Sequence, residues 1–240
     1  MAKLEQYTKE LAGKSAEEIL AWCLKEFSYD RVILASSFSA EDQVLTDMLS
    51  RPGTGARIFT LDTGRLFQET YDVMHRSMEK YHIRYETCVP DSGEVATLLS
   101  TEGPNSMYQS LEKREHCCAI RKLNPLKKIL GTAEAWICGL RWGQGLTRKE
   151  TLVIEWHAAQ GTYKVSPLFN WSDEDVWQYI RRHDVPYNAL YDRGFRSIGC
   201  APCTRATTPD QDIRAGRWWW EDPEHKECGL HRHTVPTAGT

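Results

Sequence analysis

The side chains best suited to metal or redox chemistry in this 240-residue sequence are eight cysteines, and their spacing is uneven. Cys117 and Cys118 are adjacent, while Cys200 and Cys203 form a CxxC motif that encloses Pro202. Four thiolates can complete one metal site, and an iron–sulfur cube has separated corners that accommodate an adjacent pair better than a single zinc ion does. The spacing therefore predicts a four-cysteine 4Fe–4S site, with two unrelated thiol pairs as the alternative.

Cys228 lies apart from that set, close to the end of the chain, within residues 227–231 (ECGLH). The thiolate is the nucleophilic form of cysteine, and basic neighbours lower the pKa of a thiol. His231 and Arg232 favour the thiolate here, whereas Glu227 opposes it. Cys228 is therefore the candidate nucleophile. The remaining cysteines lie in apolar contexts typical of buried packing and are Cys23, Cys88 and Cys138.

Small and polar residues follow two predicted strands at the point where each strand ends. These segments are residues 36–42 (SSFSAED) and residues 61–65 (LDTGR). In open α/β sheets, ligands bind at the carboxyl ends of strands, where N–H groups at helix N-termini bind phosphate. Each segment alone is also compatible with an ordinary capped turn, but together they indicate a nucleotide site.

A third segment, residues 139–148 (GLRWGQGLTR), places Arg141 and Arg148 on a glycine-rich loop after another predicted strand. Guanidinium groups donate paired hydrogen bonds to phosphate or sulfate, which suits an anion clamp. A solvated surface loop is the alternative. Arg121 and Lys122, shortly after the adjacent cysteines, would enlarge the positive region.

The elements that carry these residues follow from the hydrophobic pattern. Short apolar runs predict strands, which are residues 32–35, 57–61, 83–88 and 135–140. Helical patterns lie between them, with a capping box at Ser15 and a further helix start at Ser172. Residues 151–165 indicate a hairpin around Gly161 at the sheet edge. The alternation predicts an α/β fold with a parallel twisted sheet flanked by helices.

Composition is ordinary for one globular domain with a full core, at 41% hydrophobic and 26% charged residues. No linker divides the chain, so residues 1–240 are expected to form one domain. Within it, residues from about 30 to 190 are the predicted α/β core, and residues from about 191 to 240 are a predicted irregular, mobile segment. The run of tryptophans at residues 218–220 is interpreted as a packing anchor for that segment.

Several classes of protein are disfavoured by charge and hydropathy. The net charge of −3 excludes a globally basic nucleic-acid binder but not a local basic pocket. No apolar run approaches the roughly 18 residues that a membrane span needs, and the N-terminus lacks the apolar region of a signal peptide. The chain is therefore expected to be cytoplasmic, without nucleic-acid or membrane partners. A homo-oligomer is compatible with the sequence, which leaves the oligomeric state open.

Taken together, the motifs resemble the assimilatory adenylylsulfate (APS) and phosphoadenylylsulfate (PAPS) reductases. The resemblance runs from about residue 30 to 232 and includes the three loop segments, both cysteine pairs and residues 227–231. That family is similar to nucleotide-binding enzymes of the ATP-pyrophosphatase type, with SFSAED in place of a glycine–lysine phosphate loop. Its members with both cysteine pairs carry an iron–sulfur cluster and typically use APS, whereas cluster-free members typically use PAPS. One departure is Gly145, where the family usually has serine.

The resemblance implies reduction of APS, or alternatively PAPS, to sulfite and AMP through an S-sulfocysteine on Cys228, in sulfate assimilation and cysteine biosynthesis. It implies thioredoxin or a similar dithiol as reductant, because no thioredoxin-like domain follows in this chain. The substrate-binding residues that it implies are Ser37, Phe38, Ser39, Asp62, Gly64, Arg65, Lys122, Arg141, Arg148 and His231. Two other functions stay open: an adenylyltransferase or thiolating ATP pyrophosphatase of the same fold, and a non-catalytic nucleotide-binding metal sensor.

Overall fold

The apolar runs form one sheet in the computed structural model, which describes residues 2–51, 55–142, 144 and 151–222. The strands are β1 (Val32–Ala35), β2 (Arg57–Leu61), β3 (Glu86–Cys88), β4 (Ala135–Ile137), β5 (Ile154–His157) and β6 (Thr162–Val165). Their order in the sheet is β3-β2-β1-β4-β6-β5. All neighbouring strands are parallel except β5 and β6, which form an antiparallel hairpin around Gly161. The predicted parallel sheet and its edge hairpin are confirmed.

Helices cover both faces of this sheet. They are α1 (Ala2–Leu11), α2 (Ala16–Glu26), α3 (Ala40–Leu49), α4 (Gln68–Tyr81), α5 (Ser92–Thr101), α6 (Leu111–Cys118), α7 (Asn124–Leu130) and α8 (Asp173–His183). Side chains alternate along β1, so Val32 and Leu34 pack in a core with α1, α2, α3 and α8. Ile33 points to the other face, where it packs with Leu126 and Leu130 of α7.

Serine caps fix where four helices begin, which are α2, α3, α6 and α8. At α2, Ser15 and Glu18 form the predicted capping box, with Glu18 N–H donating to Ser15 Oγ at 3.2 Å. Ser172 and Asp175 cap α8 in the same way. Ser39 Oγ accepts from Asp42 N–H at 3.3 Å, so α3 begins directly after the segment predicted to bind phosphate.

Three elements differ from the sequence-based expectation. Helix α1 was not predicted, because its segment is strongly charged and only Tyr7 and Leu11 are buried. Strand β3 is shorter than residues 83–88, since Tyr85 turns into the core against Phe38. Strand β4 ends at Ile137, because the chain then approaches the start of α3 at Gly139.

The strand order reverses beside β1, because β2 and β3 lie on one side of it and β4 on the other. In open α/β sheets a crevice forms at the carboxyl ends of strands at such a point. Beyond α8, the described residues hold only short 3₁₀ turns and one bridge between Thr204 and Arg217, as expected for the irregular segment. Within the described part of the chain, no helix has the length and apolar character needed to cross a membrane.

Candidate active site

A large cavity opens at this strand-order reversal, and we call it the nucleotide-side cavity. Residues 36–39 and 138–140, which follow β1 and β4, form one part of its wall. The two loops are in close contact at Gly139. A Cβ added there would lie 2.8 Å from Glu41 Cβ and 2.6 Å from Asp42 Oδ1. Only glycine fits there without displacing the start of α3, so the residue type at 139 shapes the cavity.

The loop after β1 is closed on itself by a buried carboxylate. Asp42 Oδ2 accepts from the backbone N–H and the hydroxyl of Ser37, each at 2.7 Å. Burial raises the pKa of Asp42 above its usual range, although the hydrogen bonds from Ser37 act in the opposite direction. These contacts set the loop shape before any ligand binds.

Phe38 takes an unusual backbone conformation within this loop. Its φ of 60° lies in the left-handed region, and its side chain is buried edge-on against Tyr85 with the ring centroids 5.0 Å apart. Burial of the ring stabilises the strained backbone at Phe38. The neighbouring Ser37 and Ser39 then lie on the cavity wall. The predicted residues Ser37, Phe38 and Ser39 therefore all line the nucleotide-side cavity.

The predicted residues after β2 lie beside this cavity but not on its wall. The carboxylate of Asp62 accepts from Gly64 N–H at 2.8 Å and from the Tyr71 hydroxyl at 2.9 Å. Gly64 has a φ of 69°, which favours glycine at this turn. Arg65 donates to the carbonyl of Pro104 at 2.6 Å. Their assignment to substrate binding stays a prediction.

Arg141 is buried at 4% exposure and does not line the nucleotide-side cavity. Its guanidinium donates to Glu41 Oε1 at 2.8 Å and also pairs with Asp173. These two carboxylates lie in the first turns of α3 and α8, so Arg141 joins the loop after β4 to both helices. Its role as a substrate ligand stays a prediction, and Arg148 lies outside the described residues.

Three arginines that the sequence analysis did not select line the nucleotide-side cavity: Arg196, Arg214 and Arg217. Arg214 and Arg217 are buried at 9% and 7% exposure, and Arg217 Nη1 donates to the carbonyl of Ile198 at 3.3 Å. Lys122 also lines this cavity, and its predicted contact with the substrate stays a prediction. Buried cations on a cavity wall suit an anionic ligand, because a nearby anion offsets the cost of burying the charges.

The four paired cysteines come together around a second, smaller cavity, which we call the cysteine cavity. Cys118, Cys200 and Cys203 are buried, and Cys117 packs beside them. A π-helical turn, Ala119–Leu123, directly follows Cys118, and such wide turns are frequent at functional sites. The change of helix type occurs where the adjacent cysteines must share one site.

The thiols of the cysteine cavity differ in their ease of ionisation. Burial opposes ionisation of Cys200, but the charge of Lys122 and a 3.2 Å contact with Thr63 Oγ1 lower its pKa. Burial and the nearby Cys200 raise the pKa of Cys203 to about 12. Thiols that resist ionisation can still bind a metal, because metal binding itself displaces the thiol protons. Four converging thiols of this kind therefore fit a metal site. The described side chains nevertheless contain no group of three or more His, Cys, Asp or Glu placed for metal ligation.

The other described cysteines are poor nucleophiles. Burial raises the thiol pKa of Cys23, of Cys88 and of Cys138, and none of the cysteines that the structure describes forms a disulfide. Cys138 lines the nucleotide-side cavity, but its sulfur lies 3.5 Å from Ser166 Oγ and 3.7 Å from the Val165 carbonyl. The predicted nucleophile Cys228 and the predicted ligand His231 lie outside the described residues.

The two cavities share part of their walls. Lys122, Cys200 and Trp218 line both the nucleotide-side cavity and the cysteine cavity. A ligand anion in the first cavity and a metal in the second would therefore act on the same cation, Lys122.

The chain is similar to known proteins in both sequence and fold. The chain is 48% identical over 218 residues to an adenosine 5'-phosphosulfate reductase of Allochromatium vinosum, covering 91% of this chain and 84% of that protein. The crystal structure of a phosphoadenylyl-sulfate reductase from Candida auris superposes with a TM-score of 0.73 at 26% identity, covering 84% of this chain and 96% of that one. Yeast FAD synthetase shares the fold, with a TM-score of 0.56 at 13% identity over 85% of this chain and 67% of that one. Residues 31–206 match the phosphoadenosine phosphosulfate reductase domain, and the chain belongs to that family.

Proposed function

We propose that this protein is an oxidoreductase that reduces adenosine 5'-phosphosulfate to sulfite and AMP. The observation that carries the proposal is the wall common to a nucleotide-side cavity with buried cations and a cavity of four cysteines. An adenosine group suits the crevice beside β1, where open α/β sheets bind nucleotides. The phosphosulfate would then lie toward Lys122, Arg214 and Arg217.

Cys117, Cys118, Cys200 and Cys203 would hold a 4Fe–4S cluster. The cluster, when bound, would supply a structural cross-link and a local charge beside Lys122. The residues fit this group, because four thiols from two segments surround one cavity and a π-helical turn follows the adjacent pair. These four cysteines would supply all the ligands of the cluster, so it would need none from the substrate.

Cys228 is the proposed nucleophile. Its thiolate would attack the sulfur of the phosphosulfate, the sulfur–oxygen bond to the phosphate would break, and AMP would leave with that electron pair. The surrounding cations would offset the repulsion between a thiolate and an anionic substrate. The raised thiol pKa values of Cys23, Cys88 and Cys138 support this choice, because those thiols are poorly activated.

The S-sulfocysteine on Cys228 would need a dithiol to release sulfite. One thiolate of thioredoxin or a similar protein would attack Cys228 Sγ, and sulfite would depart with the electron pair of the sulfur–sulfur bond. The second thiol would resolve the mixed disulfide and regenerate Cys228. The dithiol is thereby oxidised to a disulfide, which supplies the two electrons.

The second candidate substrate is PAPS, which carries an additional 3'-phosphate. It is favoured by the family match and by the likeness to a PAPS reductase structure. Sulfite release from APS and from PAPS, each with reduced thioredoxin, separates the two. Turnover of neither substrate, together with a requirement for ATP and magnesium, would instead support an adenylyltransferase or pyrophosphatase.

A further inference from the structure

Trp218 lies in the wall between the nucleotide-side cavity and the cysteine cavity and is 1% exposed. Its φ of 41° lies in the left-handed region, which residues other than glycine rarely adopt. Its indole Nε1 is buried and makes no hydrogen bond among the described residues. Strain at a buried aromatic residue between two cavities suggests that its position serves the cavities as well as the packing.

Four cationic side chains surround the Trp218 ring. The distances from the ring centroid are 4.6 Å to Arg217, 4.9 Å to Arg114, 5.9 Å to Arg214 and 6.0 Å to Lys122. The negative face of an aromatic ring attracts cations within about 6 Å, whereas the cations repel one another. Lys122, Arg214 and Arg217 also line the nucleotide-side cavity. The indole is thus the common neighbour of the cations that would bind the anion.

Hydrogen bonds hold the backbone of Trp218 in place. Trp218 N–H donates to the carbonyl of Cys203 at 3.1 Å, and Glu221 N–H donates to the carbonyl of Trp218 at 2.9 Å. The Glu221 carboxylate accepts two hydrogen bonds from Arg114, each at 2.9 Å, and both side chains are buried. The backbone of Trp218 is therefore attached to Cys203 of the CxxC motif and, through Glu221, to Arg114 of α6.

We propose that Trp218 is a positioning residue that holds Lys122, Arg214 and Arg217 in the spacing that binds the phosphosulfate. The inference rests on the proposed function. The π face of the indole attracts these three cations and so offsets part of their mutual repulsion. Without that face, the cations would move apart, and APS would bind more weakly even in a protein that keeps its fold.

The decisive comparison places phenylalanine and pentafluorophenylalanine at position 218. The two rings have nearly the same shape, but fluorination reverses the charge distribution of the face, so the packing is retained and the cation attraction is lost. Binding of APS is measured by calorimetry in the full-length chain carrying Cys228→Ser, which lacks the proposed nucleophile. We expect the fluorinated protein to bind APS at least about fivefold more weakly than Trp218→Phe, at an unchanged melting temperature.

Two further variants complete the design. Trp218→Leu is expected to bind APS at least as weakly as the fluorinated protein, and if it fails to fold the phenylalanine pair still decides. Trp219→Leu is the matched control, because Trp219 packs on Trp220 and Arg205 and lines neither cavity. It should bind APS as the parent does.

Equal affinity of the phenylalanine and pentafluorophenylalanine proteins would overturn the inference while leaving the proposed function intact. A parallel loss of APS binding in Trp219→Leu would overturn it as well, because the effect would then be general to the tryptophan run. Failure of the parent protein to bind APS would overturn the proposed function and this inference with it.

Discussion

Two buried arginines beside the nucleotide-side cavity differ in what balances their charge. Arg141 pairs with Glu41 and Asp173, so its charge is already balanced by carboxylates. Arg217 lines the cavity and contacts the ring of Trp218, and its Nε has no hydrogen-bond partner among the residues that the structure describes. The ion pairs of Arg141 therefore stabilise the fold, whereas the position of Arg217 on the cavity wall favours a bound anion.

Replacing each arginine by alanine should separate these roles. We expect Arg217→Ala to weaken APS binding by about 1.5–3 kcal/mol, or roughly 10–150-fold, because a charge-assisted contact is lost. Arg141→Ala should instead lower the free energy of unfolding by about 3–5 kcal/mol, since it leaves the buried Glu41 carboxylate unpaired. Calorimetric binding and denaturant unfolding measure the two effects.

Arg193→Ala is the control for both, because that side chain is 62% exposed and pairs with Glu69 at the surface. Its effect on stability should stay within about 0.5 kcal/mol. A normal fold of Arg141→Ala combined with lost APS binding would show that Arg141 is a substrate ligand after all, as the sequence analysis expected.

The nucleophile is tested by its covalent product. Incubation of the protein with APS and no reductant should give one equivalent of AMP and a mass increase of one SO₃ group on the peptide with Cys228. Reduced thioredoxin should then remove the group and release sulfite. Cys228→Ser should still bind APS but form no adduct. A label on Cys23, Cys88 or Cys138 instead would refute the assignment.

At the scale of elements, the end of β4 and the start of α3 approach each other at Gly139. We expect Gly139→Ala to cost about 1–3 kcal/mol of stability, because its methyl group would press on Glu41 and Asp42. APS binding should weaken in parallel, since the same contact shapes the loop with Ser37. Unfolding and binding curves give both values.

Gly131→Ala is the matched control for that variant. A Cβ at Gly131 would have only ordinary contacts of 3.5 Å with the carbonyls of Lys127 and Lys128, and the φ of −61° suits alanine. It should be neutral or slightly stabilising. If both glycine variants behave alike, close approach at Gly139 does not shape the site.

Elements with a strong local signal were predictable from the sequence. Strand β2 matches its prediction at both ends, and the predicted capping box at Ser15 and helix start at Ser172 are present. The cavity arginines Arg214 and Arg217 were missed, because their segment has no periodicity and only tertiary folding brings it to the sheet. Likewise, no local pattern reveals that Glu41 and Asp173 converge on Arg141.

At the scale of the whole molecule, the cysteine cavity joins two distant parts of the chain. We expect the protein purified without air to be brown, and Cys203→Ser to lose iron and the broad visible absorbance. Removing the iron should also lower the melting temperature, because a ligand that binds only the folded state stabilises it. Absorbance, iron content and thermal unfolding test this. A colourless, zinc-loaded protein with full activity would contradict it.

The separation of the cysteine pairs along the chain has a consequence for biosynthesis. Cys117 and Cys118 leave the ribosome well before Cys200 and Cys203, so no complete ligand set exists while the intervening residues are made. At about 5–20 residues per second, the first pair waits roughly 4–16 s. During that time the two adjacent thiols stay reduced only where the surroundings of the nascent chain are reducing. With the proposed cluster, oxygen exposure should therefore harm newly made chains more than finished protein that holds the cluster.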